Sequence, residues 1–248
     1  IGASPRAQGA ILAGPPGTGK SLLARAVAGE CGAHIEIVSG PSLLSKWVGE
    51  TEAALRVIFE RAREHAPAIV LFDEIDCLGM SRATADAHHQ KSMVTQLLTL
   101  LDGLEERGQV FVLATTNRPE DIDSALRRPG RFDQVVWMGP PDEAGRKAIF
   151  LHHMEGLKLA ADIDRDQLAA ELAAATAGLT GADIAYTCQR AALLCVKEAN
   201  QASRQPTDLA ITAEHFRAAI ADQGCAAVAD HCTGVADASA TLLARAMN

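Results

Sequence analysis

The stretch AILAGPPGTGKSLLARAVA, residues 10–28, decides the fold. Four apolar residues, too few for a core helix, run into a Gly-Pro turn, and a helical pattern rich in Ala and Leu follows at once. Gly14, Gly19, Lys20 and Ser21 fill the spacing G-x-x-x-x-G-K-[ST] in the strand-then-helix context that this motif demands. Glycines let successive backbone N–H groups curl around a polyphosphate, and the helix N-terminus adds the positive end of its dipole. The expected cradle runs through Gly14, Pro15, Pro16, Gly17, Thr18, Gly19, Lys20, Ser21 and Leu22. Lys20 reaches the β- and γ-phosphates, and the Ser21 hydroxyl is a hard oxygen ligand for Mg²⁺. An ordinary Gly-rich turn is the bland alternative, and the filling of every position tells against it.

Outward from this loop, short apolar runs alternate with longer helical patterns: HIEIV (34–38), AIVLF (68–72), QVFVLA (109–114) and DQVVWM (133–138). Such runs fit buried parallel strands joined by crossover helices, which makes the first part an α/β sheet. After Gly139-Pro140-Pro141 the strand-like runs stop. DEAGRKAIFLHHM, DQLAAELAAAT, GADIAYTCQRAALLCVKEA and TAEHFRAAIADQ read instead as amphipathic helices. The expected organisation is a nucleotide-binding α/β domain over 1–139, a small helical domain over 140–223, and an Ala-rich tail of unassigned structure over 224–248.

AIVLFDEID supplies an acidic partner to the phosphate loop. Asp73 and Glu74 come where a buried strand ends, and ligands of open parallel sheets bind at the carboxyl ends of strands. Asp73 is placed to hold Mg²⁺ with Ser21, and Glu74 to polarise the water that attacks a γ-phosphate. VFVLATTNRPE ends the next strand in Thr115, Thr116 and Asn117, and the Asn117 amide can hold the same water from the other side. A polar strand end is also a common cap.

ALRRPGRFD, residues 125–133, gathers Arg127, Arg128 and Arg131 around a Pro-Gly turn. A planar, permanently charged fork suits phosphate. Because Lys20 already serves the local phosphates, Arg128 and Arg131 read as fingers reaching a nucleotide held by a neighbouring copy. The competing reading is a solvated basic turn that pairs with Asp123 or Asp133.

Taken together and in this order, GPPGTGKS, LFDEID, ATTNRP and RRPGRFD resemble the AAA ATPases of the valosin-containing-protein type, from about Gly9 to Gln223. The resemblance implies a P-loop NTPase with a five-stranded parallel sheet flanked by helices, an all-α lid, and a ring of usually six subunits working on ATP with Mg²⁺. It also implies that Glu74 is the catalytic base, Asn117 the first sensor, and Arg128 and Arg131 the fingers. GLTGADI is similar to the lid segment in which Gly181 and Ala182 lie against nucleotide, and His153 falls where the family often has a histidine near ribose and adenine. SKWVGETE (45–52) resembles a pore loop in which Lys46, Trp47 and Val48 grip an extended polypeptide; Trp47 packed under its own loop is the alternative. Where an acid-Arg pair is expected before the glutamine of LLTLLDG, Gln90, Lys91 and Ser92 stand instead. That leaves a second pore loop outside what the resemblance carries.

Composition narrows the rest. A hydrophobic content of 48% is ample for a core, and a net charge of −8 gives no general basic surface for nucleic acid or anionic membrane. No apolar run reaches the ~18 residues of a membrane span. Six cysteines without paired spacing, Cys188 and Cys195 two helical turns apart among them, read as reduced thiols of a cytoplasmic module. Cys225, His231 and Cys232 make a poor tetrahedral set, since adjacent His and Cys cannot easily share one zinc. The abrupt start at Ile1 suggests a piece of something longer. Two other functions stay open: an assembly scaffold with little turnover, or the ATPase module of a protease-associated complex, although no H-E-x-x-H is present.

Overall fold

Runs of apolar residues bounded by turns bury both faces only inside a covered sheet. All five pair into one sheet here, and the three at its centre are buried on both faces, in a computed structural model that describes residues 9–46, 51–78, 87–103, 109–201 and 209–227. The strands are β1 (Gly9–Ala13), β2 (His34–Ser39), β3 (Ala68–Asp73), β4 (Val110–Thr116) and β5 (Phe132–Trp137), in the order β2-β3-β4-β1-β5 with every pair parallel. The chain divides into two compact units, Ile1–Gly139 and Pro140–Asn248.

In the first unit, α1 (Lys20–Glu30) covers one sheet face, where Ala24 and Ala28 pack on Ala10, Leu12, Ile69, Leu71 and Leu113. Small residues on this helix let it sit close to the strands. The opposite face carries the larger core, in which Leu55, Phe59 and Ala62 of α3 (Thr51–Glu64) and Met93, Leu97 and Leu101 of α4 (Ala87–Asp102) meet Ile11, Val70, Phe72 and Val112. Phe59 and Phe72 lie 6.2 Å apart, tilted. Truncating a fully buried phenylalanine such as Phe59 destabilises a domain by about 3–5 kcal/mol.

Two expectations need correction. β5 is not a buried strand: from Asp133 to Trp137 every residue is exposed, with Val135 at 53% and Trp137 at 57%. Among the described residues it pairs with β1 alone, an edge strand without the second neighbour and the helix cover that an apolar run leads one to expect. The pore-loop stretch expected over 45–52 starts inside a helix, since Ser45 and Lys46 close α2 (Gly40–Lys46), while the helix TEAALRVIFERARE opens at Thr51 as its sequence implies. Trp47 and Val48 lie outside the described residues.

The second unit contains α5 (Glu143–Met154), α6 (Arg165–Ala175), α7 (Gly181–Gln201) and α8 (Ala213–Ala227), packed around Phe150, Met154, Leu168, Leu172, Ile184, Cys188 and Phe216. Its helix starts are capped by their own sequence. Asp142 accepts from the Gly145 N–H at 2.7 Å and Asp164 from the Asp166 N–H at 2.9 Å. Asp183 accepts from both the Thr180 N–H and hydroxyl, which closes a capping box at the head of α7. Arg146 is buried without a carboxylate partner among the described residues. Its guanidinium is satisfied by the carbonyls of Ala173, at the end of α6, and Pro141. A helix C-terminus presents the negative end of its dipole, which suits the cation. Past Gln223 helix α8 continues to Ala227, and residues 228–248 lie outside the described ones, His231 and Cys232 with them.

Candidate active site

The register of the sheet brings three strand ends level. Ala13 pairs with Thr116 and Leu12 with Thr115, while Phe72 pairs with Ala114 on the other side of β4. One residue beyond Phe72, Asp73 therefore stands beside Thr115. Here β1 hands over to the phosphate loop. Gly14 has φ 154° and its N–H donates to the Thr116 carbonyl at 3.3 Å, while a Cβ at this position would collide with the Met138 carbonyl. Only glycine lets the loop leave the sheet between β4 and the end of β5.

Around this turn opens a cleft of about 260 Å³, lined by Pro16, Gly17, Gly19, Lys20, Ser21, Leu22, Asp73, Glu74, Thr115, Thr116 and Asn117. Lys20 is buried at the first position of α1, and its Nζ donates to the carbonyls of Gly14 at 2.9 Å and Pro15 at 2.6 Å. Burial lowers its pKa, and the charges of Asp73 and Asp76 oppose that shift. The Thr18 hydroxyl donates to the Pro15 carbonyl at 3.0 Å, tying the loop across its own bend.

Asp73 is the hub. Its Oδ1 accepts from the Ser21 hydroxyl and from the Thr115 hydroxyl, each at 2.6 Å. Thr115 in turn accepts from the Glu74 N–H at 3.0 Å. A carboxylate beside hydroxyl oxygens, with no sulfur or imidazole among the cleft residues, is a hard-oxygen donor set of the kind Mg²⁺ selects. Glu74 is exposed at the mouth of the cleft with φ 59°, the only non-glycine residue with positive φ among the described residues. Ile75 and Leu78 of the following short 3₁₀ turn are buried, so the chain must swing sharply at Glu74 to send them inward. Such a left-handed conformation costs about 1–3 kcal/mol in a non-glycine residue. Asn117 is exposed at the end of β4 and lines the same cleft.

The arginine turn is arranged differently. Arg131 donates from Nε to Asp102 Oδ1 at 2.6 Å and from Nη2 to Oδ2 at 2.7 Å, and its Nη1 reaches the Ala125 carbonyl at 2.7 Å. The acid that partners it is therefore Asp102 at the end of α4, and neither Asp123 nor Asp133 takes that place. The Asp123 carboxylate accepts from the Ala125 N–H instead, at 2.8 Å. Arg127 and Arg128 are exposed, with no side-chain partner among the described residues.

His153, Gly181 and Ala182 all fall in the second unit. His153 is half-buried on α5 with its ring 5.3 Å from that of His152, and burial, then the charge of His152, lowers its pKa. Gly181 and Ala182 form the first turn of α7 inside the Thr180–Asp183 capping box. Lys46 ends α2, and the remaining pore-loop residues are outside the described ones.

Residues 10–140 match the model of the family described as ATPase family associated with various cellular activities, and residues 162–211 match the AAA+ lid domain. The chain belongs to the AAA ATPase family. Within it, this AAA module is 50% identical over 186 residues to the Cell division cycle protein 48 homolog of Archaeoglobus fulgidus, an alignment covering 75% of this chain and 25% of that protein. The chain thus spans about a quarter of the length of the curated relative it matches. The sheet order, the P-loop and the helical second unit are those of a P-loop NTPase with an AAA lid.

Two residues of the AAA module escaped the sequence reading. Thr115 was visible as a polar strand end, but only the register shows that its hydroxyl bridges Asp73 and Glu74. Asp102 carries no local signal at all, since it lies 29 residues from its partner.

Proposed function

We propose that this module hydrolyses ATP with Mg²⁺ in a ring, of six copies by family resemblance, and couples turnover to the remodelling of protein substrates. One observation carries the chemistry: Lys20, Ser21, Asp73, Glu74 and Asn117, separated by up to 97 positions in the chain, line one cleft at the carboxyl ends of three adjacent strands. The backbone of Gly14–Ser21 wraps the phosphates, and Lys20 places its ammonium on them. Ser21 and Asp73 would hold the metal, which would supply positive charge to the nucleotide phosphates. Thr115 fixes the Asp73 carboxylate and the Glu74 backbone together. Glu74 accepts a proton from the attacking water while Asn117 orients it. Arginine from the turn of a neighbouring copy meets the charge that develops on the transferred phosphoryl group.

The second unit acts as a lid on this reading, with His153, Gly181 and Ala182 beside ribose and adenine. Lys46, Trp47 and Val48 grip an extended polypeptide. The free thiols Cys31, Cys77, Cys188 and Cys195 suit a reducing, cytoplasmic setting, and among the described residues no helix is long and apolar enough to cross a membrane. The decisive experiment is Glu74→Gln in the full chain. ATP binding stays near normal, hydrolysis falls by orders of magnitude, and particle mass with a slowly hydrolysed ATP analogue reports the ring. Unchanged turnover removes the base assignment, and a ring with negligible wild-type turnover selects the scaffold reading instead. Trp47→Ala keeps ATPase activity and loses substrate unfolding; retained unfolding defeats the gripping role.

A further inference from the structure

Arg128 and Arg131 are equivalent in type but not in circumstance. Each nitrogen of the Arg131 fork donates within its own chain, at 2.6 and 2.7 Å to the two Asp102 oxygens and 2.7 Å to the Ala125 carbonyl. Its side chain is 17% exposed, whereas Arg128 is exposed and has no side-chain partner among the described residues. A bidentate guanidinium–carboxylate pair is among the stronger polar contacts, and the planar fork fixes direction as well as distance. Asp102 gives it further reason to persist. As the last residue of α4 it meets the negative pole of the helix, and the guanidinium offsets that repulsion. The pair holds the Asp102 carboxyl below its usual range, mainly through the hydrogen bonds from Arg131.

The Ala125 bond closes a ring of chain from Ala125 to Arg131. The Arg131 N–H reaches the Arg128 carbonyl at 3.2 Å and the Phe132 N–H the Leu126 carbonyl at 3.1 Å, and Leu126 and Phe132 are both buried at its base. Arg128, Pro129 and Gly130 are what this braced ring carries at its tip. Turning Arg131 outward to a phosphate would break three charge-assisted bonds and strand Asp102 at a helix C-terminus.

We propose that Arg131 is a positioning residue, locked to Asp102 of its own chain so that the turn presents Arg128 alone to the nucleotide of a neighbouring copy. This rests on the reading that the turn acts in trans. Two consequences separate a brace from a second finger. A finger is freed when its carboxylate is removed, so Asp102→Ala leaves turnover intact or raises it. A brace fails from either end, so Asp102→Ala and Arg131→Ala fail alike and the double variant is no worse than either.

The test measures kcat and KM for ATP in the full chain for Arg128→Ala, Arg131→Ala, Asp102→Ala, the double alanine variant, and the reversed pair Asp102→Arg with Arg131→Asp. Thermal melts and particle mass with a slowly hydrolysed ATP analogue accompany each. We expect Arg128→Ala to lower kcat by about 10³. The two single brace variants lower it by a common factor of up to about 10², as misplacement does, with KM within twofold, melting preserved and the assembly intact. The double variant matches the singles, and the reversed pair, which restores the ion pair but not the donor to the Ala125 carbonyl, recovers part of the loss. Turnover in Asp102→Ala at or above wild type, with Arg131→Ala as poor as Arg128→Ala, overturns the proposal and makes Arg131 a finger. Loss of the assembly in parallel with activity overturns it too, because the pair then holds copies together. Should the single variants not fold, a folded reversed pair without recovery does the same. Wild-type turnover in Arg128→Ala instead sinks the trans reading itself, whatever Arg131 does.

Discussion

The cleft lies at the carboxyl ends of the strands and the arginine turn at the amino end of β5; both are built from charged residues, yet one is closed on itself and the other is not. In the cleft, Ser21, Asp73, Thr115 and the Glu74 backbone satisfy one another within a single chain at 2.6–3.0 Å. In the turn, Arg131 is tied to Asp102 while Arg127 and Arg128 have no side-chain partner among the described residues. A permanently charged group without a counter-charge, beside one so fully neutralised, is what the proposed action on a neighbouring copy requires. On the proposed trans reading, the difference means that a reaction centre is assembled to the point of holding its substrate and still depends on a second copy for rate.

That contrast can be broken experimentally. The largest effect falls on the open side: Arg128→Ala lowers kcat by roughly 10³ or more. Mixing Arg128→Ala copies with Glu74→Gln copies then restores steady-state turnover above that of either alone, because the first supply an intact cleft and the second an intact turn. No gain on mixing means that the arginine serves its own chain. Next, Glu74→Gln lowers kcat by about 10² to 10⁴ with KM little changed, since only the removal of a proton from water is lost. A smaller loss, about 10- to 100-fold in turnover and in apparent Mg²⁺ affinity, follows from Thr115→Val, which keeps the shape but removes the hydroxyl that orients Asp73. Magnesium titration of the activity distinguishes this from a folding defect. The mildest test concerns thiols. Burial, reinforced by Asp76 and Glu74, pushes the Cys77 thiol up to about 12. At pH 8 only about 10⁻⁴ of it is then thiolate. Brief alkylation of folded protein therefore modifies exposed Cys31 and spares Cys77, as peptide masses would reveal. Equal labelling of the two shows the closed side to be leaky.

How much of this could be read in advance follows from the range over which each feature is encoded. The strands and the phosphate loop were legible because apolar runs, glycines and Lys20-Ser21 act over a dozen neighbouring residues. The helices of the second unit were legible for the same reason, through periodicity, whereas their caps Asp142 and Asp164 show only in the structure. Exposure of β5 was not, because DQVVWM has the composition of an interior strand and only the strand order puts it at an edge. The Arg131 partner was hidden by sequence distance: the turn looked short of acids because the one that matters arrives on α4. Thr115 was seen without its meaning, which depends on the β3–β4 register. Glu74 showed no trace of its backbone geometry, since left-handed conformations are announced by glycine and this one occurs in a glutamate.

With Glu74 as the proposed base, its φ of 59° sets thermal robustness against activity at one position. Replacement by glycine relieves the left-handed strain, worth about 1–3 kcal/mol, and deletes the carboxylate in the same stroke. Any campaign that ranks variants by heat resistance or expression alone would enrich Glu74→Gly and drift towards inert material, so a screen for hardier forms of this module has to read phosphate release alongside melting.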